Sequence, residues 1–143
     1  MGRAGQSRAG RIDRAGSSLT VKRAKLQDMT DEQLVERFAA LALGQDEALL
    51  MNEIAKFNRL FDQLEDVEEE LKAREGDHRN ALLALYDHPN AQVRLTAAKA
   101  TLAIAPQDAR AQLQHIRESR EFPQAGDAGM TIRALNDGIF KPT

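Results

Sequence analysis

The side chains best suited to chemistry in this 143-residue chain are three histidines, His78, His88 and His115, and an acidic run, Glu65, Asp66, Glu68, Glu69 and Glu70. Metal-assisted chemistry needs imidazoles or carboxylates at fixed offsets, such as two histidines at i and i+4 on one helix. Here each histidine stands alone, two at helix starts or turns and one on a helix flank, none in a motif with a neighbouring carboxylate. Surface and capping roles outweigh ligation. The acidic run reads mostly as the solvated face of a helix, with Glu68 and Lys72 a favourable i,i+4 pair. It lacks the glycine-turned ligand spacing of a calcium loop. The absence of cysteine removes thiolate metal sites, disulfides and cysteine nucleophiles together. With no Gly-rich phosphate loop and no nucleophile elbow, the expectation is a non-enzyme without a cofactor.

These residues ride on helices. Apolar residues make up 42% of the chain and charged ones 29%, an ordinary globular balance that is enough for one domain. The apolar set is mainly alanine and leucine, which favour helix over strand. Thr30-Asp31-Glu32-Gln33 is a capping box, after which Leu34, Val35, Phe38, Leu41 and Ala42 share one face up to Gly44. A long helix is predicted from about Asp46 to Arg74, with Leu50, Ile54, Phe57, Phe61, Leu64 and Leu71 as its apolar stripe. Unbroken, it would reach about 43 Å against ~20–25 Å for its neighbours, so it must overhang, bend or dimerise.

Asp77 is expected to cap a short helix carrying Leu82, Leu83, Leu85 and Tyr86. In the turn Asp87-His88-Pro89-Asn90, Pro89 forbids continuation and Asn90 caps a helix over Ala91–Ala105. Pro106 closes that element, and Asp108 opens another carrying Leu113 and Ile116. Pro123 starts the last helix, and Gly138 is a natural residue just past its end, with Ile139 folding back on Ala134. Gly126 and Gly129, early in that helix, are expected to mark close backbone packing.

Charge divides the chain. Residues 1–25 hold seven basic side chains against Asp13 alone, a net of +6, while the remainder holds 13 basic and 21 acidic, a net of −8. Arg-Ala-Gly recurs at 3–5, 8–10 and 14–16, and the segment has too few large apolar residues to offset its ordering entropy. Residues 1–28 are therefore expected to form a basic arm, disordered alone, and 29–143 the folded domain. No apolar run approaches the ~20 residues of a membrane span, and no stretch ahead of the domain reads as a signal-peptide h-region, so no secretory leader is expected. The expected location is cytoplasmic.

The segment ALLALYDHPNAQVRLTAAKATLAIAP, residues 81–106, resembles one HEAT repeat: a leucine-rich first helix, a turn with Asp and Pro, then Val-Arg and paired alanines. That resemblance implies a structural pair between Asp87 and Arg94. A fainter echo sets Pro123-Gln124-Ala125 against Pro89-Asn90-Ala91, without the Val-Arg pair. Through IAKFNRLFDQLEDVEEELKAR, LYDHPNAQVRLTAAKATLA and FPQAGDAGMTIRALNDGIFKP, residues 29–143 are also similar to a small bacterial family known as domain of unknown function 2019. This implies an all-α fold, a short α-α superhelix of about six helices of HEAT or armadillo type. It implies no activity.

A stacked helical protein offers a broad, rigid surface, so the preferred function is protein–protein interaction. Candidate contacts lie on the second helices of the hairpins: Gln92, Thr96, Lys99, Asp127, Met130 and Arg133. Thr30, Gln33, Asp87, Pro89, Arg94, Pro123 and Gly138 are assigned structural roles. Other readings are an immunity- or antitoxin-type partner of a basic protein, and a homodimer through the long helix. Weak nucleic-acid binding is confined to the arm, because phosphate contacts need basic side chains that the acidic body does not concentrate.

Overall fold

The computed structural model describes residues 25–143, and every regular element among them is helical. The arm expected over 1–28 lies, apart from 25–28, outside the described residues. A helical turn over 25–27 leads into α1 (Asp31–Leu50), α2 (Ile54–Ala73), a 3-10 helix (His78–Asp87), α3 (Ala91–Ala100), α4 (Pro106–Ser119) and α5 (Gln124–Asn136). Leu26 is buried in the core, so packed structure begins ahead of the expected boundary at 29.

The capping box forms as the sequence requires. Thr30 Oγ1 accepts the Gln33 amide at 3.1 Å, and Gln33 Oε1 accepts the Thr30 amide at 2.9 Å. The helix it starts does not stop at Gly44. It runs to Leu50, and the predicted long helix is two elements broken at Met51–Glu53. Asn52 adopts φ 56°, its N–H bonds to the Leu49 carbonyl, and the Glu53 N–H bonds to that of Ala48. This is a Schellman termination with asparagine in the left-handed position where glycine is commoner. Gly44 serves packing instead: a Cβ there would sit 3.1 Å from Leu60 Cδ1 on α2. The expected overhang is thus resolved by folding the chain back into an antiparallel α1–α2 hairpin.

The next hairpin pairs the 3-10 helix with α3. Asn90 caps α3 by accepting the amides of Gln92 and Val93. α3 ends at Ala100, short of the predicted Ala105, and Pro106 is the first residue of α4 rather than the end of α3. α4 and α5 make the last hairpin. Gly138, at φ 72°, ends α5, with the Ile139 N–H on the Ala134 carbonyl at 2.9 Å. Gly129 faces the Arg117 stem at ordinary contact distance and Gly126 is exposed, so neither marks the close backbone approach expected of it.

Two apolar cores result, with α3 as their shared wall. Val93, Ala97 and Ala100 close the first core with Leu34, Phe38, Leu64, Val67, Leu71 and Leu82. Leu95 and Ala98 close the second with Leu102, Leu113, Ile116 and Ala128. A helix sandwiched on both sides needs small side chains to let its neighbours approach, which is why its apolar face is largely alanine.

Candidate interaction surface

Of the six predicted contact residues, most are spent inside the molecule. Gln92 is buried, donating from Nε2 to Gln45 Oε1 and accepting from Gln124 Nε2 on Oε1, each at 3.0 Å. Gln45 and Gln124 are buried too, so three glutamines on α1, α3 and α5 form one relay. Asp46 flanks it, accepting from Asn90 Nδ2 at 3.1 Å and Gln124 Nε2 at 3.4 Å. Thr96 turns its hydroxyl onto carbonyls of its own helix, those of Gln92 and Val93. Lys99 and Asp127 pair at 3.1 Å, bridging α3 and α5. Only Met130 and Arg133 stand exposed without such a tie between helices. The six residues do not form one contact surface, because their spacing along α3 and α5 is the spacing by which those two helices meet.

The implied Asp87–Arg94 pair is absent. Arg94 reaches forward to Glu121 Oε1 at 2.9 Å and to the Pro89 carbonyl at 3.5 Å, while Asp87 is exposed. Glu121 lies in the α4–α5 connection, so the arginine ties consecutive hairpins as well as its own turn, through Pro89 rather than Asp87. Pro123 stands immediately before α5, as predicted.

A second polar assembly, invisible in sequence, sits at the open end of the α1–α2 hairpin. The Arg74 guanidinium binds Asp31 Oδ1 at 2.8 Å, Glu70 Oε2 at 2.9 Å, and the carbonyls of Leu26 and Met29 at 3.0 and 2.7 Å. The Glu70 hydrogen bond most of all, and then Asp31, hold its pKa above the usual arginine value. His78 Nδ1 lies 2.9 Å from the other oxygen of Asp31. This histidine–carboxylate contact spans 47 positions of sequence, beyond the reach of any local motif. His88 caps locally, with Nδ1 accepting the Asn90 amide at 3.0 Å, and His115 is exposed.

The acidic run is less solvated than its composition implies. Glu68 is only partly exposed, and burial pushes its carboxyl up to about 7 against an opposing pull from Arg79. Arg79 is itself buried and paired with Asp77 at 2.7 Å. The expected Glu68–Lys72 pair is not within ion-pair distance, although the Lys72 charge weakly lowers the Glu68 carboxyl. Glu65 is exposed, with its carboxyl raised by partial burial and then by Asp62, Glu69 and Asp66.

The clearest uncovered feature is apolar. Along α2, Leu64, Val67 and Leu71 are buried, whereas Ile54 and Phe61 are 59% and 49% exposed. Leu50 and Met51, at the hairpin tip, are 80% and 71% exposed. None of these four belongs to either core. Phe122, just before α5, and Met130, on it, are exposed as well. No helix among the described residues is long and apolar enough to cross a membrane. No group of three or more His, Asp or Glu side chains among them is placed to hold a metal ion.

Comparison with known proteins gives a family and a fold. The crystal structure of the protein RPA1889 from Rhodopseudomonas palustris CGA009 matches with a TM-score of 0.81 and 56% sequence identity, over 82% of this chain and 98% of that one. No curated protein matches. The model of the family described as "Domain of unknown function (DUF2019)" matches residues 32–136, most of the folded body. The chain belongs to that family.

Proposed function

We propose that this protein is a non-enzymatic protein–protein interaction module built as a short HEAT- or armadillo-like stack. Three successive hairpins, α1–α2, the 3-10 helix with α3, and α4–α5, make up the stack, and the repeat-like segment 81–106 forms its middle layer. The observation that carries this reading is the set of large apolar side chains left outside both cores: Leu50, Met51, Ile54, Phe61, Phe122 and Met130. Large apolar side chains left in water on a helical scaffold cost solubility unless a partner covers them. The cytoplasm is the compartment that goes with this reading. Affinity capture with the full chain from its native cell, followed by reconstitution with the purified partner, tests it. A stoichiometric complex is expected; a chain that stays alone after cross-linking in lysate counts against the proposal.

A narrower reading makes the protein an immunity- or antitoxin-type mask for a basic protein, favoured by the net −8 beyond residue 25. Its partner would be strongly basic, and the complex would weaken steeply with added salt. Self-association through the hairpin tip is the competing use of the same apolar residues, and sedimentation at micromolar concentration separates the two.

A further inference from the structure

The stripe on α2 changes character along its length. Its C-terminal half, Leu64 to Leu71, shares the first core with Leu82 and Leu85 of the 3-10 helix. In its N-terminal half Leu60 still packs on that core and Phe57 is half-buried, but Ile54 and Phe61 are left largely uncovered. Phe61 lies seven residues from Ile54, and Glu65 four further on, so at about 100° per residue the three share one line along the helix. Asp62 borders that line. Of the basic residues of this half, Lys56 projects from the opposite side by the same geometry, and Arg59 stands on the outer flank of Asp62, three residues before it. The line therefore runs from apolar to acidic, and Asp62, Glu69 and Asp66 place a negative field at Glu65.

We propose that this line of α2, Ile54 through Phe61 to Glu65, is the seat for a basic amphipathic helix of a partner protein. The inference rests on the interaction reading above and gives it a surface and a chemistry. The described chain offers no strand edge, so a partner must engage side chains, and a helix meets a helical stripe at spacings of three, four and seven. Apolar residues on the incoming helix cover Ile54 and Phe61. Its lysines or arginines meet Asp62 and Glu65, steering the encounter and fixing its direction along α2. The line is about 17 Å long, which matches roughly three turns of helix.

The test uses the full chain and a fluorescein-labelled peptide of about 18 residues, with leucines at i, i+3, i+4 and i+7 spacing and lysines elsewhere. Two controls keep the same length: one with glutamates for the lysines, one with the same composition shuffled. Fluorescence anisotropy at low salt is expected to show at least about tenfold tighter binding of the lysine peptide than of either control. Asp62→Lys with Glu65→Lys should weaken it by a similar factor, as should Phe61→Ser. Leu43→Ser, at an exposed leucine on α1, should not. Ile54→Ser repeats the test should Phe61→Ser unfold, as judged by circular dichroism.

Equal binding of the shuffled peptide, no binding of the lysine peptide, or indifference to Phe61→Ser and Ile54→Ser overturns the proposal. A dimer in sedimentation that Phe61→Ser dissolves overturns it as well, in favour of a second copy on this face. The broader reading fails separately. If the quadruply substituted chain (I54S, F61S, D62K, E65K) still captures the same cellular partner as the native one, the module stands and this seat falls.

Discussion

The α1–α2 hairpin is tied at its open end and bare at its tip. At the open end, one guanidinium, that of Arg74, gathers Asp31, Glu70 and the carbonyls of Leu26 and Met29, while His78 holds the far side of Asp31. At the tip, about 30 Å away along α2, Leu50, Met51 and Ile54 face outward with no core around them. The same two helices thus serve stability at one end and leave the other end available. A side chain with four acceptors can be removed only at a cost to the fold, whereas one with no neighbours can change with little effect on it.

Arg74→Met breaks the comparison if the tie is weaker than its geometry implies. It keeps the apolar stem but leaves Asp31 and Glu70 without their main partner and strips two carbonyls of a donor. A loss of about 2–4 kcal/mol is expected in urea unfolding, because a partly buried charge network is broken from its centre. A loss under about 1 kcal/mol would place the bond network among ordinary surface ion pairs.

Gln92→Leu probes how the tip half of α1 is held beside the exposed Ile54 and Phe61 of α2. It leaves Gln45 Oε1 and Gln124 Nε2 without their 3.0 Å partners in a buried setting. The expected cost is about 2 kcal/mol, with faster amide hydrogen exchange near Gln45 and at the start of α5. Unchanged exchange there would mean that apolar packing alone fixes these helices.

Local signals in the sequence foretold what local chemistry decides. The Thr30–Gln33 box, the Asn90 cap and the Gly138 termination each depend on residues a few positions apart, and each is where the sequence puts it. The failures share a cause in distance. Gly44 looks like a stop signal, but a leucine 16 positions away demands its small size, and Asn52 makes the actual turn. Gln92, Lys99 and Asp127 read as partner contacts on two separate helices, and are tied within the molecule only because α3 and α5 lie side by side. Arg74, His78 and Asp31 carry no motif. Their convergence is a product of the fold, as is the desolvation of Glu68 within a run that reads as exposed.

Glu68 supplies a pH-dependent contrast with the open-end arginine. Its carboxyl titrates near 4.5 when unperturbed and at about 7 in the folded protein. Between those values the folded state keeps a proton that the unfolded chain has released, so stability falls as pH rises through that window. Glu68→Gln removes the charge. It should change stability little near pH 4.5 and raise it by about 1–2 kcal/mol at pH 8, after allowance for partial solvent access. Thermal melts of both forms at the two pH values read the sign, and a loss of stability at pH 8 would make the Arg79 attraction stronger than the burial cost.

The smallest effect is expected at the tip, and it bears most directly on what the tip is for. Leu50→Ser and Ile54→Ser each remove an apolar side chain that is more exposed than buried. Little transfer free energy is lost with either, so unfolding free energy should move by no more than about 0.5 kcal/mol. The two outcomes of such a substitution separate the possible uses of the surface. If the free chain keeps its stability and its solubility rises, the apolar residues are dispensable to the monomer and their presence is explained by something that covers them. If either substitution costs 2 kcal/mol or more at micromolar concentration and that cost shrinks on dilution as the native chain itself loses stability, the folded unit already includes a second copy. The bare tip would then be an interior surface of a dimer, built to the same end as the Arg74 tie.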